Sequence, residues 1–141
     1  MTQKVKFLMK KNTLLCLITL TVLFSCGGKT TKKRNLDNAL FKYAALIRWS
    51  DFDNAMRYIK PGDDKSKPSN FELQHLKQFK VSRYKESPIS PGNKENEIIQ
   101  NVEIQLYNIH NNRERVISDR QIWQFDDELK QWFLTSGLPK L

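Results

Sequence analysis

Apolar residues recur with helical spacing in the segment that begins at residue 36. Four of them, separated by four, three and four positions, form one helix face: Leu36, Leu40, Tyr43 and Ile47. A helix places such positions on one side of its axis. The pattern breaks at residues 49–51, where Ser50 or Asp51 can cap a second helix. That helix is expected to bury Phe52, Met56 and Ile59 and to stop at Pro61 and Gly62. The two stripes together predict a helical hairpin.

The second half of the chain alternates apolar and polar residues, which is typical of strands. Strands are predicted over residues 80–87, 97–107, 115–125 and 131–136. In the first of these, the alternation places Val81, Arg83 and Lys85 on one face. Residues 70–79 fit either a weak helical turn or a strand that begins near His75, and residues 62–70 and 88–96 are loops. Helices followed by antiparallel strands predict one α+β domain over residues 36–141.

A different pattern precedes this domain. Residues 14–24 form an uncharged, mostly apolar run of 11 residues behind Lys10 and Lys11. A helix needs about 20 residues to cross a bilayer, so the run predicts a secretory signal peptide over residues 1–25. Translation can start at Met1 or at Met9, since either leaves a complete signal.

The end of this run resembles the lipobox of bacterial lipoprotein precursors. Leu23, Ser25 and Cys26 match the pattern, while Phe24 is bulkier than the small residue usual at its position. The resemblance implies diacylglycerol on the Cys26 sulfur, cleavage before Cys26 and an acylated amine. It places the protein in the cell envelope, and Gly27 after the cysteine favours the outer membrane if the organism has one. An ordinary cleaved signal with a free cysteine, or an uncleaved anchor, is the alternative.

The segment from residue 26 to residue 35 is predicted to be a flexible tether. It contains glycine, threonine and four positive charges but no large apolar side chain, so it buries too little surface to fold. Its charges would either contact anionic lipid headgroups or only solvate a spacer. Four of the 24 basic residues lie before residue 12, which leaves 20 basic residues against 15 acidic ones. With much of that excess in the tether, nucleic-acid binding finds little support.

The order of elements resembles the NTF2-like (cystatin-like) superfamily. In that superfamily a curved antiparallel sheet wraps an N-terminal helix into a cone, so the resemblance implies a helical hairpin packed on such a sheet over residues 36–139. Residues 118–139 also resemble the ending of small envelope lipoproteins that are mostly uncharacterised. Members of the superfamily act as enzymes, ligand binders and assembly modules, so the fold alone does not decide the function.

Most catalytic chemistry lacks the residues it needs. His75 and His110 lie far apart, without Cys or carboxylate neighbours at metal-ligand spacing. No Gly-x-Ser-x-Gly motif occurs, and Cys26 is the only cysteine after the signal peptide. We therefore expect no metal, no cofactor and no nucleophilic catalysis.

General acid-base catalysis and ligand binding have one candidate group. Asp119, Gln121 and Trp123 occupy alternate positions of one predicted strand, so their side chains face the same side of the sheet. A few polar groups on an apolar face are typical of a ligand site. The alternative is that Asp119 pairs with a nearby Arg at the rim of the sheet.

Trp132 and Phe133 are adjacent in a predicted strand and must point to opposite faces. One of them is therefore expected to leave the main core, where the helices, the tether or a partner would cover it.

Three functions follow from these residues. The first is a non-catalytic lipoprotein whose domain binds an envelope protein or its own copy through Trp132 and Phe133. The second is a periplasmic small-ligand binder that uses Asp119, Gln121 and Trp123. The third is a cone-type lyase or isomerase, which requires Asp119 near a tyrosine such as Tyr84 or Tyr107. We expect the first, because no catalytic set is complete.

Overall fold

The computed structural model of the protein describes residues 27–141, with side chains from residue 31. Met1–Arg34 and Asn35–Leu141 form two units, and the buried core described below lies in the second. The predicted signal peptide and Cys26 lie outside the described residues.

Helices come first and strands afterwards. The helices are α1 (Gly27–Arg48), α2 (Phe52–Ala55), which continues as a 3-10 turn (Met56–Tyr58), and α3 (Asn70–Leu76). The strands are β1 (Phe79–Glu86), β2 (Ser90–Pro91), β3 (Glu97–Asn108), β4 (Glu114–Asp126) and β5 (Gln131–Leu134). The predicted α+β class is confirmed: three helices accompany a curled antiparallel sheet with the form of a half-barrel.

Two helices differ from their predicted extents. Helix α1 begins at Gly27, so the structure does not show the flexible tether predicted up to residue 35. Helix α2 is a single turn capped by Asp51, whose side chain accepts from the Asn54 backbone N–H. Residues 70–76 are helical, as one of the two alternatives had it, because Ser69 and Glu72 form a capping box that satisfies the first backbone donors of α3.

Ser50 joins the end of α1 to the sheet. Its backbone has a positive φ of 57°, and the N–H groups of Ser50 and Asp51 donate to the carbonyls of Ile47 and Leu46, both at 2.9 Å. This is a Schellman ending, in which glycine is the usual residue at the left-handed position. The Ser50 hydroxyl accepts a hydrogen bond of 3.1 Å from the Val81 backbone N–H. A serine is therefore useful here although its backbone conformation favours glycine.

The sheet has the order β1-β3-β4-β5, and β2 pairs with β3 beyond the end of β1. Strand β2 lies within the loop predicted over residues 88–96, and its two residues pair with Ile98 and Ile99. Periodicity could not have indicated so short a strand. The three long strands were predicted within a few residues of their bounds, and the apolar face of β3 is buried as expected.

A bulge in β1 reverses part of the predicted facing. Val81 pairs with Leu106 and Arg83 with Gln105, so Ser82 is an extra residue without a partner position. After such a bulge the side chains exchange faces. Val81 and Tyr84 both pack against the core, whereas Arg83 and Lys85 are exposed. The prediction that Val81, Arg83 and Lys85 share a face was therefore wrong.

The core fills the space between the helices and the inner face of the sheet. It combines α1 and α2 side chains with those of β3, β4 and β5, including Tyr43, Ile47, Phe52, Ile104, Leu106, Trp123 and Leu134. The burial of these apolar side chains is the main favourable contribution to folding.

The contact of Ser50 with β1 and its positive φ predict different effects for two substitutions. Ser50→Ala removes the acceptor of the Val81 N–H and keeps the unfavourable backbone angle, so we expect a loss of about 1–2 kcal/mol in the free energy of unfolding. Ser50→Gly loses the same hydrogen bond but relieves the backbone, which costs about 1–2 kcal/mol for a residue with a Cβ atom. It should remain close to the parent protein. Urea unfolding of the three proteins checks this order, and equal stability of both variants would contradict it.

Candidate functional site

The three β4 residues predicted as a ligand site lie together inside the domain. Asp119, Gln121 and Trp123 are all buried, and Gln121 and Trp123 are completely inaccessible to solvent. Their alternate positions on β4 place them on the face that the helices cover. The prediction that these three side chains face the same side of the strand is therefore confirmed.

Gln121 is the centre of their hydrogen bonds. Its Nε2 donates to Asp119 Oδ2 and to the Tyr84 hydroxyl oxygen, both at 2.9 Å. Trp123 Nε1 donates to Gln121 Oε1 at 3.3 Å. Every polar atom of the Gln121 amide thus has a partner, and both of its N–H groups are used within the protein.

The bulge in β1 is what brings Tyr84 to this cluster. Arg48, at the end of α1, covers the Tyr84 ring at 5.0 Å from its centroid and donates to Glu86 at 3.1 Å. Burial raises the pKa of Tyr84, and the negative charge of Asp119 raises it further. Tyr107, the other tyrosine considered, pairs with Lys80 and Glu114 and takes no part in the cluster's hydrogen bonds.

Aromatic rings close the cluster on the helix side. Tyr43, Tyr58 and Trp123 pack edge to face, with ring centroids 5.2–5.7 Å apart. In the described part of the chain, the buried Tyr43 hydroxyl has no hydrogen-bond partner. Burial raises the pKa of Tyr43, and the charges of Asp119 and Tyr84 add to this effect. Tyr43 therefore remains a neutral phenol beside the cluster.

Asp119 is the ionisable group of the cluster. Burial raises the pKa of its carboxyl, while the hydrogen bond from Gln121 acts in the opposite direction. A buried carboxyl beside two phenols is a grouping that proton chemistry can use. Asp119, Gln121 and Tyr84 line none of three cavities over the described residues, so none of these cavities leads a substrate to Asp119.

The two residues predicted to contact a partner, Trp132 and Phe133, take no part in the hydrogen bonds of this cluster. Trp132 packs on Phe125 in the core, with ring centroids 5.3 Å apart, and Phe133 pairs with Gln124 in the register of the sheet. Both are buried, with 7% and 5% of their surface exposed. Trp132 belongs to the core cluster and Phe133 does not, so the expectation that one of the two leaves the main core is confirmed, although Phe133 is covered rather than exposed.

An open groove, which Trp132 and Phe133 also line, provides the exposed aromatic residues. Its walls are the α1 face within residues 35–49 and the β4–β5 turn with β5 over residues 129–133, and residues 51–58 close one end. The cavity measures about 1190 Å³. Phe41 and Trp49 line it with 72% and 82% of their surfaces exposed, and Leu129 is half exposed. We call this feature the α1–β5 groove.

The wall of the groove at the β4–β5 turn is fixed by Asp126. Its Oδ1 accepts from the backbone N–H groups of Glu128 and Leu129, at 3.0 and 2.8 Å. Its Oδ2 pairs with the Lys60 ammonium at 2.6 Å. These contacts hold the pKa of Asp126 below its usual range. They also set the position of Leu129 and Lys130 in the groove.

The groove was not found from the sequence. Phe41 lies next to the core stripe of α1 in the sequence, and Trp49 follows its end. Their exposure depends on which side of α1 the sheet covers, and a helical period alone does not give that. The signal that could have found them is that both lie outside the four-residue core stripe.

Other site chemistries find no support in the described residues. No three His, Cys, Asp or Glu side chains cluster there in a way that could hold a metal ion. No helix within the same residues is long and apolar enough to span a bilayer. Neither protein-family models nor curated proteins gave a match to this chain.

The burial of Asp119 predicts how stability depends on pH. A carboxyl whose pKa is raised on folding favours the folded state most below its ordinary pKa of 3.8, and this contribution is lost as pH rises through the higher folded value. Asp119→Asn removes the charge and keeps an oxygen that can accept from Gln121. We expect it to match the parent protein near pH 3 and to be more stable at pH 7.

Urea unfolding between pH 3 and pH 8 measures this difference. Asp127→Asn, which makes the same chemical change at an exposed turn residue, is the control. Parallel pH profiles for Asp119→Asn and the parent protein would contradict the prediction.

Proposed function

We propose that this protein is a lipid-anchored envelope lipoprotein whose α+β domain binds a partner protein through the α1–β5 groove. The observation that carries the proposal is the exposure of two large aromatic side chains, Phe41 and Trp49, along one groove. Large aromatic residues at such sites are typical of protein contacts. The curled antiparallel sheet beside N-terminal helices supports an NTF2-like cone as the scaffold.

The exposure of the Phe41 and Trp49 side chains to water is energetically unfavourable, and a bound partner would remove it. Burying apolar surface contributes roughly 25 cal/mol for each Å² removed from water. Trp49 loses little backbone freedom on binding, because its backbone N–H already donates to Ala45 at 3.0 Å at the end of α1. A side chain that is large, exposed and attached to a fixed backbone is suited to anchor a partner.

A non-catalytic role is supported by the state of the buried cluster. The Gln121 amide is satisfied by Asp119, Tyr84 and Trp123, and the rings of Tyr43 and Tyr58 cover Trp123. A ligand would have to displace these contacts before it could reach Asp119. This weighs against the small-ligand binder and the lyase or isomerase, so the cluster is better explained as a polar element of the core.

The membrane anchor is supported by the sequence alone. The resemblance of Leu23, Ser25 and Cys26 to a lipobox makes Cys26 the first residue of the mature chain and the carrier of the lipid. Each buried methylene contributes about 0.8 kcal/mol, and two or more acyl chains give stable anchoring. The binding domain would then work at the surface of an envelope membrane.

The anchor predicts the mass of the mature protein. We expect intact-mass spectrometry of protein extracted from its native envelope to give residues 26–141 plus a diacylglycerol group and a further acyl chain. Cys26→Ser should abolish the added lipid mass. A mature chain that begins at another residue without lipid would contradict the anchor.

The binding function predicts that the groove aromatics retain a companion protein. Phe41→Ala with Trp49→Ala should reduce the amount of a stoichiometric companion, quantified by mass spectrometry after gentle extraction, by about tenfold or more, since such residues dominate binding energy. Phe71→Ala is the matched control, because Phe71 is 80% exposed but lies on α3, outside the groove. Unchanged recovery with the double variant, or equal loss with Phe71→Ala, would contradict the function.

A further inference from the structure

We propose that the occupant of the α1–β5 groove is an acidic amphipathic helix of the partner protein. This inference rests on the proposed binding function and goes further by naming the chemistry of the partner. It depends on the charges of the groove, on the shape of its α1 wall and on the state of Asp51, the one acidic side chain among the described residues that line it.

The cations of the groove come from all of its walls. Lys42 lies on α1, Arg57 follows on the 3-10 turn, and Lys130 lies in the β4–β5 turn. Within residues 31–141, none of the four ion pairs includes any of these three side chains. A bound segment therefore meets positive charge on each side.

The groove's own carboxylate does not balance these cations. Asp51 is engaged as the cap of α2, where its Oδ1 accepts from the Asn54 backbone N–H at 3.2 Å and its Oδ2 from Asn54 Nδ2 at 2.6 Å. These two hydrogen bonds, with a smaller effect of Arg57, hold the pKa of Asp51 below its usual range. Asp51 stays ionised, but one carboxylate against three cations leaves a positive charge in the groove, which complements acidic residues on a partner.

The shape of the α1 wall favours a helix. The lining positions of α1 recur every three or four residues, and two of them, Ala39 and Ala45, are small enough for close approach. The 14 helical residues from 35 to 48 correspond to about 21 Å at 1.5 Å per residue, so a partner helix of three to four turns would cover this wall. Its apolar stripe would contact Phe41, Leu46 and Trp49, and acidic residues beside the stripe would reach the cations.

Two other occupants fit less well. A second copy docked through the same surface would bring Lys42 and Lys130 of both protomers together, since a two-fold interface pairs a surface with itself. A bilayer surface could contact Phe41 and Trp49 but would not enter the cavity between α1 and β5. Both remain measurable outcomes of the test.

The test uses two synthetic peptides of 16 residues without tryptophan. Both carry Leu and Phe at helical spacing, and their flanking positions are Glu in one peptide and Lys in the other. The protein contains three tryptophans. Because Trp123 and Trp132 are buried, a blue shift of the emission on titration reports Trp49. Full-length protein in neutral detergent micelles is titrated with each peptide at low and high salt.

We expect the Glu peptide to bind at least tenfold more tightly than the Lys peptide and to weaken with salt. Lys42→Glu with Lys130→Glu should weaken it about tenfold. Lys80→Glu with Lys85→Glu changes the charge equally at exposed β1 residues outside the groove and should leave binding unchanged. Circular dichroism checks that both double variants retain the fold.

Several results would overturn the inference. These are equal affinity for the two peptides, equal weakening by the β1 variant, a dimer in analytical ultracentrifugation that Trp49→Ala dissociates, or groove-dependent binding to vesicles containing phosphatidylglycerol. If the companion protein is still lost with Phe41→Ala and Trp49→Ala while the Glu peptide fails to bind, the proposed function stands and only the partner chemistry is wrong. If neither effect occurs, the function itself fails.

Discussion

The arrangement of this domain depends on one extra residue in its first strand. Ser82 has no partner position in the sheet, so β1 shifts its register between Val81 and Arg83. The hydroxyl of Ser50 accepts from the Val81 backbone N–H beside that shift and holds the end of α1 against the strand. Without the bulge Tyr84 would face solvent, and Gln121 would lose one of its two acceptors. A local irregularity thus determines both how the helix meets the sheet and what the interior contains.

The interior and the surface then have different roles. Inside, the Gln121 amide is fully bonded and an edge-to-face group of three rings encloses it, an arrangement that favours a single packing of the core. Outside, Phe41 and Trp49 are exposed beside Lys42, Arg57 and Lys130, which form no ion pair within residues 31–141. The hydrogen-bonded polar side chains around Gln121 are therefore enclosed in the core. The exposed surface that can bind a partner lies on the opposite side of α1 from the core stripe.

The sequence predicted the features that follow from a regular period. The α1 stripe, the long strands and the inward parity of Asp119, Gln121 and Trp123 all come from spacings of three to four or of two. The features that it missed depend on single residues or on packing. One inserted serine reverses the facing of β1, and two residues, Ser90 and Pro91, make a strand inside a loop. The burial of Phe133 and the exposure of Trp49 follow from the covering of each face, which one-dimensional spacing does not contain.

The edge position of β1 affects whether two copies of the protein can pair through their sheets. This strand ends the described sheet on one side, and an unprotected edge is a site for aggregation through strand pairing. Lys80, Arg83 and Lys85 project from β1 into solvent, and the bulge at Ser82 interrupts its row of backbone donors and acceptors. Two copies that approached through this edge would oppose like charges on an irregular ladder. Neighbouring molecules would therefore remain separate proteins rather than extend a shared sheet.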